Sequence, residues 1–167
     1  MAPYRFPPAR LRGAVPTVRD RLAELAIALP PPPMPRGTYT AVVREGSHAW
    51  VAGQIALENG SVVRPGLVDR DVSVDDAKVV ARRATLQALS ALEAELGSLD
   101  AVRRINRVAV YVASSPGFVR QHDVANGATD LLVEVFGAAG RPARVAMGVA
   151  ALPLNAPVEV EIEAVVA

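Results

Sequence analysis

Residues 105–114, INRVAVYVAS, alternate with a period of two: Val108, Val110 and Val112 fall on one side, and Arg107, Ala109 and Tyr111 on the other. PVEVEIEAVV, residues 157–166, repeats the pattern, with Val158, Val160, Ile162 and Ala164 opposite Glu159, Glu161 and Glu163. Such segments make strands that bury one face only. The chain must therefore build a sheet with a covered side and an unlike second side.

The cover comes from helices. SVDDAKVVARRATLQALSALEAELG, residues 73–97, carries Ser73 as N-cap, Asp76 at the capping-box position, apolar residues at helical spacing and Gly97 as its stop. FVRQHDVANGATDLLVEVFG, residues 118–137, reads as a second long helix, weakened by Gly127 and ended by Gly137. A shorter helix is expected over Thr17–Leu29, capped by Thr17 with Asp20 three residues on. Pro30 to Pro33 and Pro35 stop it and form a stiff extended connector. Tyr39 to Val63 contains three short strands, with a hairpin turn at Asn59-Gly60. ARVAMGVA, residues 143–150, is a further strand.

The order helix, β-β-β, α, β, α, β-β predicts an α+β fold: a six-stranded sheet, two long helices on one face, and an N-terminal helix. Two helices cannot cover both faces. On the strand from Arg144, Val145, Met147 and Val149 are expected to meet the helices, leaving Arg144, Ala146, Gly148 and Ala150 on the far side. A far face of small and weakly polar residues suits a second chain better than water, so a homo-oligomer is expected.

Composition excludes several functions. At 167 residues, 51% of them hydrophobic, the chain is one domain with room for a core. Eighteen Lys and Arg against seventeen Asp and Glu give a net charge of +1, a poor basis for binding nucleic acid or an acidic membrane surface. There is no cysteine, and the two histidines, His48 and His122, form no ligand motif, so no metal site is expected. His48 reads as a turn residue and His122 as one in the first turns of a helix. Residues 1–16 read as a flexible arm without the apolar run of a secretory signal, and 17–167 as the domain. No membrane span appears, and a cytoplasmic protein is expected. P-loop, GxGxxG, HExxH and Ser-His-Asp patterns are absent.

Arg144, between a proline turn and an apolar strand, presents a planar fork that matches a carboxylate. It is either an anchor for a small organic acid or half of an ion pair with a C-terminal glutamate. The three glutamates are first the polar side of a strand, though one of them can act as a base. If the last two strands form a hairpin, Arg144 and Glu159 lie about six residues apart, roughly 20 Å. They share a pocket only if those strands are not neighbours or another subunit completes it. Tyr39, Gln54 and Asn126 are further polar groups able to orient a ligand.

Three blocks, GTYTAVVREGSHAWVAGQI, VANGATDLLVEVFG and RPARVAMGVAALPLNAPVEVEIEA, resemble in order the YjgF/RidA family, the reactive-intermediate deaminases also labelled endoribonuclease L-PSP. The N-terminal helix, the Pro-rich connector and the long ending are most similar to a longer, chorismate-mutase-like branch. The resemblance implies a chorismate-mutase-like fold, a homotrimer with clefts between subunits, no cofactor, and hydrolysis of 2-imino acids to 2-keto acids and ammonia. It implies Arg144 as the carboxylate clamp, Glu159 or, with a two-residue insertion, Glu161 as the water-orienting base, and Tyr39, Gly53 and Asn126 as cleft residues. Ala52 replaces a serine of the family, and Ala146 stands where many members have cysteine. A non-catalytic carboxylate-binding or regulatory module and an RNA-cleaving translation inhibitor are the alternatives.

Overall fold

The computed structural model describes residues 17–167, so the arm expected at 1–16 lies outside the described residues. Helix α1, Val18–Glu24, starts in the expected capping box, in which the Thr17 side chain accepts from the Asp20 backbone and the Asp20 carboxylate from the Thr17 backbone. It stops five residues earlier than its apolar pattern suggests, because Ala26 adopts a φ of 53°. Strands β1 (Val42–Glu45), β2 (His48–Ile55), β3 (Leu57–Glu58) and β4 (Ser61–Val62) follow. Asn59 and Gly60, at φ 51° and 81°, make the β3–β4 turn as their sequence predicts.

Helix α2, Val74–Leu96, is capped by the Ser73 side chain, which accepts from the Asp76 backbone, and ends at Gly97 in the left-handed conformation. Its Ala77, Ala81, Ala84 and Ala88 are fully buried, and their small size brings the helix close to its neighbours. Strand β5 is Val102–Ala113, helix α3 Gln121–Phe136, strand β6 Ala143–Val149 and strand β7 Val158–Val166.

The six-stranded sheet expected from the sequence resolves into five strands, ordered β1-β2-β7-β5-β6, and a separate β3–β4 ribbon. Strands β6 and β7 are not a hairpin: β5 lies between them, parallel to β6 and antiparallel to β7. The buried face carries Val51, Val108, Val110, Val112, Val158, Val160 and Ile162 in the same core as α2 and α3.

Register reverses the expected facing of β6. Arg144 stands beside Val108, Ala146 beside Val110 and Gly148 beside Val112, so these three face the helix side. Met147 pairs with Tyr111 on the other side. The expectation failed because β6 is an edge strand at the margin of the helical layer, where burial no longer selects the apolar residues. The far face instead holds Arg107, Tyr111, Glu159, Glu161 and Glu163 together with exposed Val43, Trp50 and Met147.

Candidate functional site

The residues singled out in the sequence gather in two places. The first is a cleft of about 460 Å³ whose lining includes Tyr39, Gly53, Gln54, Pro153, Leu154 and Glu159. It forms where β2 changes register against β7 between Val51 and Gln54, an irregularity that opens the sheet beside Ala52 and Gly53. Gln54 is buried, and its side-chain amide donates to the Ala52 carbonyl at 3.0 Å, which pins the irregular backbone. Gly53 lets the Glu159 carboxylate lie over the backbone: a Cβ there would overlap its Oε1 and displace the side chain.

Glu159 is half-buried, and its carboxylate makes no hydrogen bond or ion pair among the described residues. Burial pushes its pKa above the usual carboxylate range, and the neighbouring negative charge of Glu161 pushes it in the same direction. The other two glutamates are engaged. Tyr111 donates its hydroxyl to Glu161 Oε2 at 2.9 Å, and Arg107 Nη1 lies 3.3 Å from Glu163 Oε1. Burial and then the Glu161 contact raise the pKa of Tyr111. Of the two glutamates left open by the sequence, Glu159 is therefore the one in the cleft.

The second place is the junction of α3 and β6. Arg144 Nη1 donates to Asn126 Oδ1 at 2.7 Å and to Thr129 Oγ1 at 3.3 Å. The side chain borders a cavity of about 520 Å³ lined by Thr129, Arg141 and Pro142 among others. No carboxylate lies within ion-pair distance of Arg144 among the described residues, although Asp130 and Glu134 line the same cavity, and its two neutral partners orient the guanidinium. Thr129, three residues after Asn126 on the same helix face, was not singled out in the sequence; its spacing is the signal that could have found it.

These two groups do not meet within one chain. Arg144 aligns through Val108 with Ile162 on the helix side, whereas Glu159 lies on the opposite face. Between them stand two strand spacings of about 4.8 Å and roughly 10 Å of strand length. His48 is not a turn residue but begins β2, stacked on Trp50 at 5.8 Å; His122 is exposed in the first turn of α3, 3.5 Å from Asp123. Neither touches the cleft. No helix of the described residues is long and apolar enough to cross a membrane.

A mixed sheet covered on one side by two helices, with a carboxylate in a bulged cleft and an oriented arginine at the opposite sheet edge, defines an α+β protein of chorismate-mutase-like type. The chain belongs to the YjgF family: residues 19–165 match the family described as "YjgF/chorismate mutase-like, putative endoribonuclease". It is similar to Protein TCP17 of Trypanosoma cruzi, with 40% identity over 145 residues, covering 86% of this chain and 91% of that protein. The crystal structure of Atu1372 from Agrobacterium tumefaciens, a protein of unknown function, superposes with a TM-score of 0.83 and 38% identity over 90% of this chain and 92% of that one. A Shewanella oneidensis structure described as a "putative endoribonuclease" superposes with a TM-score of 0.86 and 28% identity, covering 90% of this chain and 99% of that one.

Proposed function

We propose that the protein is an enamine/imine deaminase that hydrolyses 2-imino acids to 2-keto acids and ammonia in a cleft completed by a second copy of the chain. The observation that carries this reading is Glu159, a half-buried carboxylate with no partner among the described residues, held over Gly53 in a cleft and with a raised pKa. A carboxylate in that state is matched to accept a proton nearer neutral pH than an ordinary one. An imine carbon is already electrophilic, so a positioned water suffices and no cofactor is required.

In the proposed reaction Glu159 takes a proton from water as the C–O bond forms and the C=N electron pair moves to nitrogen. Glu159 returns that proton to nitrogen to give the carbinolamine; the hydroxyl proton then passes to nitrogen as the C–N bond breaks, ammonia leaves and the keto C=O forms. The substrate carboxylate is held by Arg144 of the partner subunit through two parallel charge-assisted hydrogen bonds. Asn126 and Thr129 set the direction of that guanidinium, and Tyr39 lines the cleft beside the reacting group. Assembly as a homotrimer is part of this proposal, because Arg144 and Glu159 are too far apart in one chain to hold one small acid.

Replacing Arg144 with Ala is expected to lower keto-acid release from freshly generated 2-aminoacrylate by about 100-fold or more while the assembly persists. Unchanged turnover in an intact assembly would remove Arg144 from the site. Calorimetric binding of small keto acids without any turnover would replace the deaminase by a carboxylate-binding module. RNA cleavage by highly purified protein is not expected, given a net charge of +1 and no histidine in the cleft.

A further inference from the structure

One wall of the cleft that holds Glu159 is the stiff proline-rich connector. Pro33, Met34, Pro35 and Arg36 line the cleft together with Tyr39 and Glu159. The segment is anchored, not loosely draped. Ser90 donates its hydroxyl to the Pro30 carbonyl at 2.6 Å, and the Gln87 side-chain amide donates to the Pro31 carbonyl at 2.8 Å. Both donors are buried polar side chains of α2, and a buried donor without its acceptor is costly, so these bonds fix where the connector runs. Successive prolines carry that position forward, because their restricted φ leaves little freedom to bend.

The opposite lip is equally constrained. Leu154 adopts a φ of 56° and Asn155 a φ of 61°, a conformation that a branched side chain such as leucine rarely takes. The turn is held by the Gly66 backbone N–H, which donates to the Asn155 carbonyl at 2.9 Å. Leu154 remains 56% exposed and lines the cleft, so the turn presents an apolar side chain there instead of burying it. The lining of the cleft thus brings the Glu159 carboxylate, the apolar side chains of Leu57, Met34 and Leu154 and the Arg36 guanidinium to one space. Arg36 has no carboxylate partner among the described residues. In the single chain the cleft measures about 460 Å³.

We infer that Arg36 is a specificity-determining residue, and that the cleft takes 2-imino acids whose side chain is extended and ends in a carboxylate. This rests on the deaminase reading for the chemistry, with Arg144 holding the carboxylate next to the imine and Arg36 the distal one. The apolar stretch between them accommodates the intervening methylenes. The anchored connector limits where the Arg36 backbone can lie, so a short monocarboxylate held by Arg144 is not expected to reach Arg36 as well.

The test compares 2-oxoglutarate with pyruvate by calorimetry on the full chain, and in parallel the turnover of the imino acids generated from glutamate and alanine by an amino-acid oxidase. The wild-type protein is expected to bind the dicarboxylate about ten-fold or more tightly than the monocarboxylate. Arg36→Gln should bring the ratio close to one, and Arg36→Lys should restore most of it, which a purely structural role would not do. Equal affinities in the wild-type protein, no binding of either acid, or an unchanged ratio in Arg36→Gln overturns the inference. If the acids are discriminated but no imino acid is turned over, the deaminase reading falls and the role of Arg36 stands. Imine turnover with a ratio indifferent to Arg36→Gln leaves the reverse.

Discussion

Glu159 shows how little of a residue's chemical state follows from its strand position. The sequence presents three glutamates at equal spacing on one face, and nothing in that pattern separates them. Their neighbours across the sheet do: Tyr111 engages Glu161, Arg107 engages Glu163, and Glu159 meets Gly53. A carboxylate with a raised folded-state pKa favours the native state fully below its unfolded pKa and loses that contribution as pH rises through the folded one. Glu159→Gln is therefore expected to raise the thermal unfolding temperature at pH 8 and to change it little at pH 4. A shift of the same size at both pH values would show that burial of the charge is not the cause. Arg144 was legible as a residue with capacity, because it stands between a proline turn and an apolar strand and its planar fork matches a carboxylate; Asn126 and Thr129 were not read as its partners, since they belong to another element.

At the scale of elements, the long helices and the alternating strands were readable because each carries its own periodicity and its own caps. Pairing was not, because the order β2-β7-β5-β6 depends on contacts between segments far apart in the chain. Gly127 illustrates the same divide. Local propensity alone says that Gly127→Ala should stabilise α3 by about 0.5–1 kcal/mol. In the fold a Cβ at that position would overlap the backbone carbonyl of Lys78 in α2, an atom that cannot turn aside. Forcing two packed helices apart costs about 1–3 kcal/mol, so packing outweighs propensity. The substitution is expected to lower the denaturant midpoint at unchanged slope. A higher midpoint would mean that α2 and α3 are less tightly apposed.

For the whole molecule, the uncovered sheet face is the surface that the proposed assembly would cover. Val43, Trp50 and Met147 are 54%, 41% and 39% exposed there, beside Tyr111 and the glutamates. That face was legible in outline from the limit on what two helices can cover, although the side on which Arg144 sits was not. Sedimentation equilibrium is expected to give a three-chain species at micromolar concentration. Met147→Asp should shift it toward monomer and abolish imine turnover, because Arg144 and Glu159 then no longer meet; full turnover by a monomer would refute the shared cleft. The central place of β7 also bears on how the chain is made. Among the described strands, the β1–β2 pair and the β5–β6 pair are joined in the sheet through residues 158–166, the last of them in chain order. A nascent chain emerging from the ribosome thus carries two unjoined half-sheets, each with an open hydrogen-bonding edge, until that strand arrives to close them.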